Sequence, residues 1–302
     1  MQDTHVLTPA PKSAWKSITE SSAEATCFQS PEWLDAACEV GNFEDASRLY
    51  EYSDGRRLVL PMLREPSPIP GLTAEWSMPS GWGYGGPVSS GRLRSEDVAT
   101  VLRDVVARNA GRTIIRPGPD TDALWAQAPA RLRLPRLVHV ADLADGFANL
   151  WTKRFASAMR NQVRKAEKRG VEIEWDTTTR LLGVHYDLYL RWTRRRARER
   201  NVPASAALRL AKRRDPLEMY EAVARRFGDR CWVGVAWKER EPAASLVMLW
   251  NGVHAHYWRG ASDRERASRS YASHLLLGRA IEAAQASAAS SSTWDHPAVW
   301  SH

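Results

Sequence analysis

Residues 160–174 (Arg-Asn-Gln-Val-Arg-Lys-Ala-Glu-Lys-Arg-Gly-Val-Glu-Ile-Glu) constrain this chain most, because they set a helix, its end and the following strand in one short run. Phe147, Leu150, Trp151, Phe155, Met159 and Val163 recur mainly at three- and four-residue steps and predict one apolar helix face leading into that run. Gly170 suits the left-handed position that closes such a helix, and Lys168 and Arg169 stand in its last turn, where the dipole favours cations. Residues 171–175 then alternate with period two, as a half-buried strand does. Lys153, Arg160, Arg164 and Lys168, spaced seven, four and four, are either a solvated helix face or a stripe aimed at a phosphate-rich ligand. Spacing does not choose between the two.

The chain has 302 residues, 43% hydrophobic and 26% charged, which is a globular composition and excludes disorder as the expectation. Its formal charge of +8 suits an anionic partner, although solubility alone also accounts for it. Cys27, Cys38 and Cys231 lack metal-like spacing, so neither a disulfide framework nor a zinc site is expected. With no signal-like apolar stretch, the expectation is a cytoplasmic protein that does not span a membrane.

Along the chain, residues 1–26 read as a flexible lead-in, and Ser30-Pro31-Glu32 opens a short helix that stops at Gly41. Asp54-Gly55 joins two strands of a hairpin over 48–63, and 72–78 is a further strand. Gly83-Tyr84-Gly85-Gly86-Pro87 is a loop whose bare backbone can approach a ligand closely. A helix begins near Ser95, a strand covers 113–116, and a proline-rich stretch precedes a boundary near residue 140. Residues 181–200 predict an arginine-rich helix ended by Pro203, with Trp192 among the arginines, and 216–227 a short helix. Strands over 231–237, 244–250 and 253–259 follow, the last two joined by Asn251-Gly252. Residues 260–269 read as a cleft loop and 271–286 as a helix. His254 and His256 share a strand face without a third ligand, so no metal is expected.

The 160–174 run, with Phe28-Gln29-Ser30-Pro31-Glu32-Trp33-Leu34, the Asp54-Gly55 turn before Leu58-Val59-Leu60-Pro61, the Gly83 to Pro87 loop and Tyr257-Trp258-Arg259-Gly260-Ala261-Ser262, resembles the FemAB-like and BioF2-like acyltransferases. The resemblance implies an α+β (mixed α/β) fold of tandem GNAT-like modules, each a mostly antiparallel sheet flanked by helices. The expected division is 1–26 lead-in, 27–139 N-terminal module, 140–286 C-terminal module and 287–302 low-complexity tail. The tail has no strand character, so the C-terminal strand or strands of the second module read as missing.

The implied activity is N-acyl transfer from acyl-CoA (acetyl-CoA) to an amine of a cell-envelope or polysaccharide precursor, with no metal. An aminoacyl-tRNA-dependent transferase and a non-catalytic or truncated relative stay open. The long helical arm of the peptidoglycan members is not evident, which weakens the case for tRNA; DNA is not an expected partner. Lys153, Arg160, Asn161 and Arg164 are expected to hold an anion of a small-molecule or glycan-precursor acceptor, under a loop carrying Tyr84, Gly85 and Gly86. Asp263, His274 and Tyr271 are the candidate proton-transfer groups. The coenzyme phosphates fall to Arg264, Arg269 and Ser270 beside the helix start, because neither half carries a pyrophosphate-loop signature. If the stripe binds ligand, replacing Arg160 and Arg164 together should weaken binding and leave the melting temperature nearly unchanged.

Overall fold

The computed structural model describes residues 4–290 apart from 68, 70, 71, 109 and 253, together with residues 299–301. The chain divides into two units, Met1–Val138 and His139–His302.

In the first unit residues 4–26, expected to belong to a flexible lead-in, include a strand and a helix. Strand β1 (Thr4–Leu7) pairs antiparallel with β3 (Arg48–Tyr52), and helix α1 (Lys12–Ser21) buries Trp15, Ile18 and Thr19. Pro11, which reads as a breaker, is the residue from which the helix starts; the Trp15 indole donates to the Gln29 carbonyl at 2.9 Å. Helix α2 (Pro31–Val40) begins where Ser30 caps the Trp33 amide. The Asp54-Gly55 turn joins β3 to β4 (Arg57–Leu60), with Gly55 at φ +83°. The strand predicted to continue to residue 63 is interrupted at Pro61, which has no amide to donate; β5 (Leu63–Glu65) joins a different sheet with β2 (Glu44–Asp45), β6 (Ala74–Ser77) and β8 (Arg112–Ile115). The other sheet runs β1-β3-β4-β7, with β7 at Val88–Ser89. Helices α3 (Ser95–Ala107) and α4 (Asp122–Trp125) carry Val98, Val101 and Trp125 into a core with Tyr50, Leu58, Leu60 and Met62.

The second unit is built on one sheet, ordered β10-β11-β12-β13-β14-β9. Its elements are β9 (Val140–Asp142), α5 (Phe147–Asn149), α6 (Ser157–Lys168), β10 (Glu172–Asp176), α7 (Leu182–Glu199), α8 (Ala204–Arg214) and α9 (Leu217–Phe227), then β11 (Cys231–Lys238), β12 (Glu241–Asn251), β13 (His254–Ser262), α10 (Arg264–Ser270), α11 (Ala272–Ser290) and β14 (Val299–Ser301). All neighbours are antiparallel except β13 and β14. The Asn251-Gly252 turn joins β12 and β13, with Gly252 at φ +55°; residue 253, expected to open the strand, lies outside the described residues.

Four expectations are corrected here. The helix read as continuous from Phe147 is split: Leu150–Arg154 widens into a π-type turn closed by the Phe155 amide on the Leu150 carbonyl, and Phe155 is extended before α6 begins. Steps of three and four cannot reveal a single widened turn. Pro203 does not merely end α7; it starts α8, which folds back on α7. The supposed cleft loop 260–269 is mostly helix α10, because Asp263 caps it. The Ala/Ser tract continues α11 to Ser290, and β14 adds a parallel strand beside β13 where none was expected.

One irregularity organises the second sheet. Val247 faces Arg259 and Met248 faces Tyr257, so Trp258 is an extra residue in β13. Ala244, Leu246, Met248 and Trp250 of β12 belong to the core shared with α6 and α11, together with Ala255 and Tyr257. Helices α7 and α9 cover the opposite face.

Candidate functional site

The bulge turns both Trp258 and Arg259 towards α7 and α9, since it adds one residue to a period of two. There they join a buried polar cluster. His185 Nδ1 lies 2.9 Å from Ser245 Oγ, Tyr220 packs between His185 and Trp258 at centroid distances of 5.3 and 5.1 Å, and Arg259 Nη2 donates to Asp215 at 3.3 Å. The buried Asp215 also accepts from the Tyr189 hydroxyl at 2.8 Å and from Arg214 Nε at 2.7 Å. Burial and the nearby Arg259 charge lower the His185 pKa to about 3, so the ring is neutral. Burial, followed by the Asp215 charge, pushes the Tyr189 phenol up to about 12. His185 and Ser245 are sixty positions apart, and neither has a local motif that could have marked it.

A second constellation forms where α10 meets α11. Tyr271 takes the left-handed conformation, φ +60°, which costs a bulky residue energy and so singles out the position. Arg169 lies 4.8 Å and Lys165 5.6 Å from its ring centre, and His274 lies 6.2 Å from it, ring to ring. Arg169 also donates to the Arg269 carbonyl. Partial burial lowers the His274 pKa, which keeps its imidazole neutral at neutral pH. Of the three proton-transfer candidates, Tyr271 and His274 come together here. Asp263 does not join them: its carboxylate caps α10, accepting from the Arg266 amide at 3.1 Å.

The residues expected to hold phosphates are largely spent. Arg264 pairs with Glu199 at 2.7 Å, Arg269 with Glu265 at 2.9 Å, and the buried Ser270 hydroxyl donates to the Arg266 carbonyl at 2.6 Å. Lys165 and Arg169, overlooked because their helix was read only along the 153–160–164–168 stripe, are the cations that face the Tyr271 ring. The stripe itself does not hold together. Lys153 sits in the π-type turn, ahead of the break, while Arg160 Nη1 donates to the carbonyls of Trp151 and Thr152 at 3.2 Å each and to that of Phe155. Arg160 thus ties down the widened turn; Asn161 and Arg164 are exposed on α6.

In the first unit the glycine loop is turned inward. The Gly85 amide donates to the Arg116 carbonyl at 2.6 Å, the Gly86 amide to Ser77 Oγ at 2.8 Å, and Gln29 Nε2 donates to the carbonyls of both glycines. Tyr84 packs edge-on against Phe28 at 5.0 Å. The glycines permit close approach, as expected, but the partner approached is the protein's own backbone: a Cβ on Gly85 would stand 2.9 Å from the Ser77 carbonyl carbon.

Among the described residues no group of three or more His, Cys, Asp or Glu is placed to hold a metal, and His254 and His256 stack 6.2 Å apart. The Cys231 thiol is buried and pushed up to about 12 by that burial, a poor nucleophile. Among the described residues no helix is long and apolar enough to cross a membrane.

Among solved structures, FemX superposes with a TM-score of 0.67 at 10% identity, covering 99% of this chain and 88% of FemX. A conserved protein of unknown function from Bacteroides thetaiotaomicron superposes at 0.53 with 11% identity, over 100% of this chain and 90% of that one. The acetyltransferase (GNAT) domain family matches residues 153–291. The chain thus carries a GNAT acetyltransferase domain over residues 153–291 and has a FemX-like fold over nearly its whole length. It is therefore a transferase with the α+β fold of tandem GNAT-like modules. In this GNAT domain the β13 bulge, the α10–α11 junction and the α6 cations all lie within the matched span. No curated protein matches the sequence.

Proposed function

We propose that this acyltransferase takes its acyl group from an acyl-CoA and delivers it to an amine of a small cell-envelope or polysaccharide precursor. The observation that carries this reading is the cluster at the α10–α11 junction, where two cations without an acidic partner among the described residues, Lys165 and Arg169, flank Tyr271 and the neutral His274. Lys165 and Arg169 suit the coenzyme's phosphates better than Arg264 and Arg269, whose charges are already matched by carboxylates.

The reaction then follows from elementary chemistry. The acceptor nitrogen attacks the thioester carbonyl, a C–N bond forms, the C–S bond breaks and the thiolate leaves. The nitrogen must lose a proton and the sulfur gain one. A neutral imidazole accepts a proton, so His274 is assigned the base role, and the Tyr271 hydroxyl beside it is assigned the return of a proton to sulfur. Asp263, occupied as a helix cap, has no part in this scheme.

Thiol release from acetyl-CoA with a panel of amines tests the donor. Lys165→Ala should raise KM for acetyl-CoA about tenfold with kcat nearly kept, and His274→Ala should lower kcat by about a hundredfold, the usual range for a lost general base. Amine-dependent release that is absent with acetyl-CoA, while a charged aminoacyl-tRNA is consumed, would overturn the acyl-CoA donor.

A further inference from the structure

The helical hairpin of α7 and α8 carries a dense run of basic residues, and the proposed transfer makes no use of it. Residues 191–213 hold nine cations against one acid, Glu199. That acid is taken up by Arg195, Arg196 and Arg264 at 2.8, 3.4 and 2.7 Å. Arg191, Arg194, Arg198, Arg200, Arg209 and Arg213 are exposed and have no ion pair among the described residues. On α7, Arg191, Arg194 and Arg198 follow at steps of three and four and form one outward stripe; on α8, Arg209 and Arg213, four apart, are exposed as well.

Set among these cations are three apolar side chains that the fold leaves in water. Leu210 is 64% exposed, Val202 in the connecting turn 44% and Trp192 37%. A surface built only to stay soluble, or only to track a phosphate chain, has no use for Leu210 and Val202. A strand of nucleic acid would value Trp192 as a stacking platform, but that ring already carries Tyr189, stacked at 6.3 Å and 18°, and has Arg196 at 5.9 Å from its centre. Cations around a few protruding apolar residues on a helix pair match one environment: the interface of an anionic bilayer, where headgroup phosphates meet the arginines and the acyl boundary receives Leu210, Val202 and the edge of Trp192.

We infer that the α7–α8 hairpin docks the protein on the surface of an anionic phospholipid membrane without crossing it. The hairpin lies apart in sequence from Lys165, Tyr271 and His274, and this inference does not depend on the acyl-CoA reading; loss of either leaves the other standing.

The test is co-sedimentation of the full chain with phosphatidylcholine vesicles, with and without phosphatidylglycerol, over a salt series, beside an anisotropy titration with bulk tRNA. The expected result is binding that needs phosphatidylglycerol and weakens with salt. Arg191→Ser/Arg194→Ser/Arg198→Ser should reduce it by more than about tenfold, and Val202→Ser/Leu210→Ser by about threefold at unchanged charge, both with unaltered melting temperatures. No binding to phosphatidylglycerol vesicles overturns the inference. So does equal binding by the wild type and Val202→Ser/Leu210→Ser combined with tighter association with tRNA, an outcome that assigns the surface to RNA instead.

Discussion

Helix α6 and the α7–α8 hairpin are both rich in basic residues and lie in the same unit, yet their cations meet different fates. Arg160 of α6 is drawn to three carbonyls in and just after the π-type turn, where the helix is interrupted, and Arg169 reaches the Arg269 carbonyl and the Tyr271 ring. Among the described residues the exposed arginines of the hairpin donate to no such carbonyls, because the interiors of α7 and α8 are regular helix whose backbone is paired within the helix. What a cation does therefore depends less on its own helix than on whether nearby backbone is left unpaired.

The sharpest extension of this contrast is in the first unit, where the glycine loop, like Arg160, turns out to serve the protein's own backbone. Gly85→Ala should cost about 3 kcal/mol in a denaturant melt, because its methyl group must enter space held by Ser77. A stable Gly85→Ala protein would mean that the loop is free to move and available to a ligand after all. Next in size, Arg160→Ala should lose about 2 kcal/mol, since three charge-assisted hydrogen bonds to carbonyls go with it. This reverses the expectation that replacing Arg160 and Arg164 leaves the melt unchanged. Arg164→Ala, exposed on the same helix, should stay within about 0.5 kcal/mol of the wild type, and a drop equal to that of Arg160→Ala would break the comparison.

A pH-dependent effect concerns the buried face below the hairpin. His185 and His256 are held neutral with pKa values of about 3, against 6.5 for a free histidine. Below pH 6.5 the unfolded chain takes up protons that the folded chain refuses, so stability falls as pH falls, by up to about 1.4 kcal/mol per pH unit for each ring. Between pH 6.5 and 5 the slope for His185→Gln should be clearly shallower than that of the wild type, with His256 and His274 still contributing; an unchanged slope would show that the His185 ring is charged or exposed in the folded state. On the hairpin, Arg191→Ser/Arg194→Ser/Arg198→Ser together should move stability by less than about 0.5 kcal/mol, since these side chains hold no ion pair among the described residues.

Much of the fold is legible in the sequence where the signal is local. Ser30-Pro31 starts α2, Asp54-Gly55 and Asn251-Gly252 turn their hairpins, and Gly170 stops α6 at φ +67°, each because a few neighbouring dihedral angles suffice. The candidate site was only partly legible. Tyr271 and His274 stand three apart and lie side by side, whereas the partners that give Tyr271 its setting, Lys165 and Arg169, come from about a hundred residues earlier. Asp263, expected as a proton-transfer group, caps α10 instead, because a capping aspartate and a proton acceptor have the same letter and the same neighbours.

By itself the sequence determined many of the helices and strands, the turns at Asp54-Gly55 and Asn251-Gly252 and the resemblance to a GNAT-type fold, because these rest on spacing, on special backbone angles and on short motifs. Tertiary structure alone decided which cations are spent and which are free, that Gly85 and Gly86 face inward, and that the Trp258 bulge turns Arg259 towards Asp215. The physical reason is that each polar group takes whichever partner folding brings within about 3 Å, and that partner is usually far away in sequence.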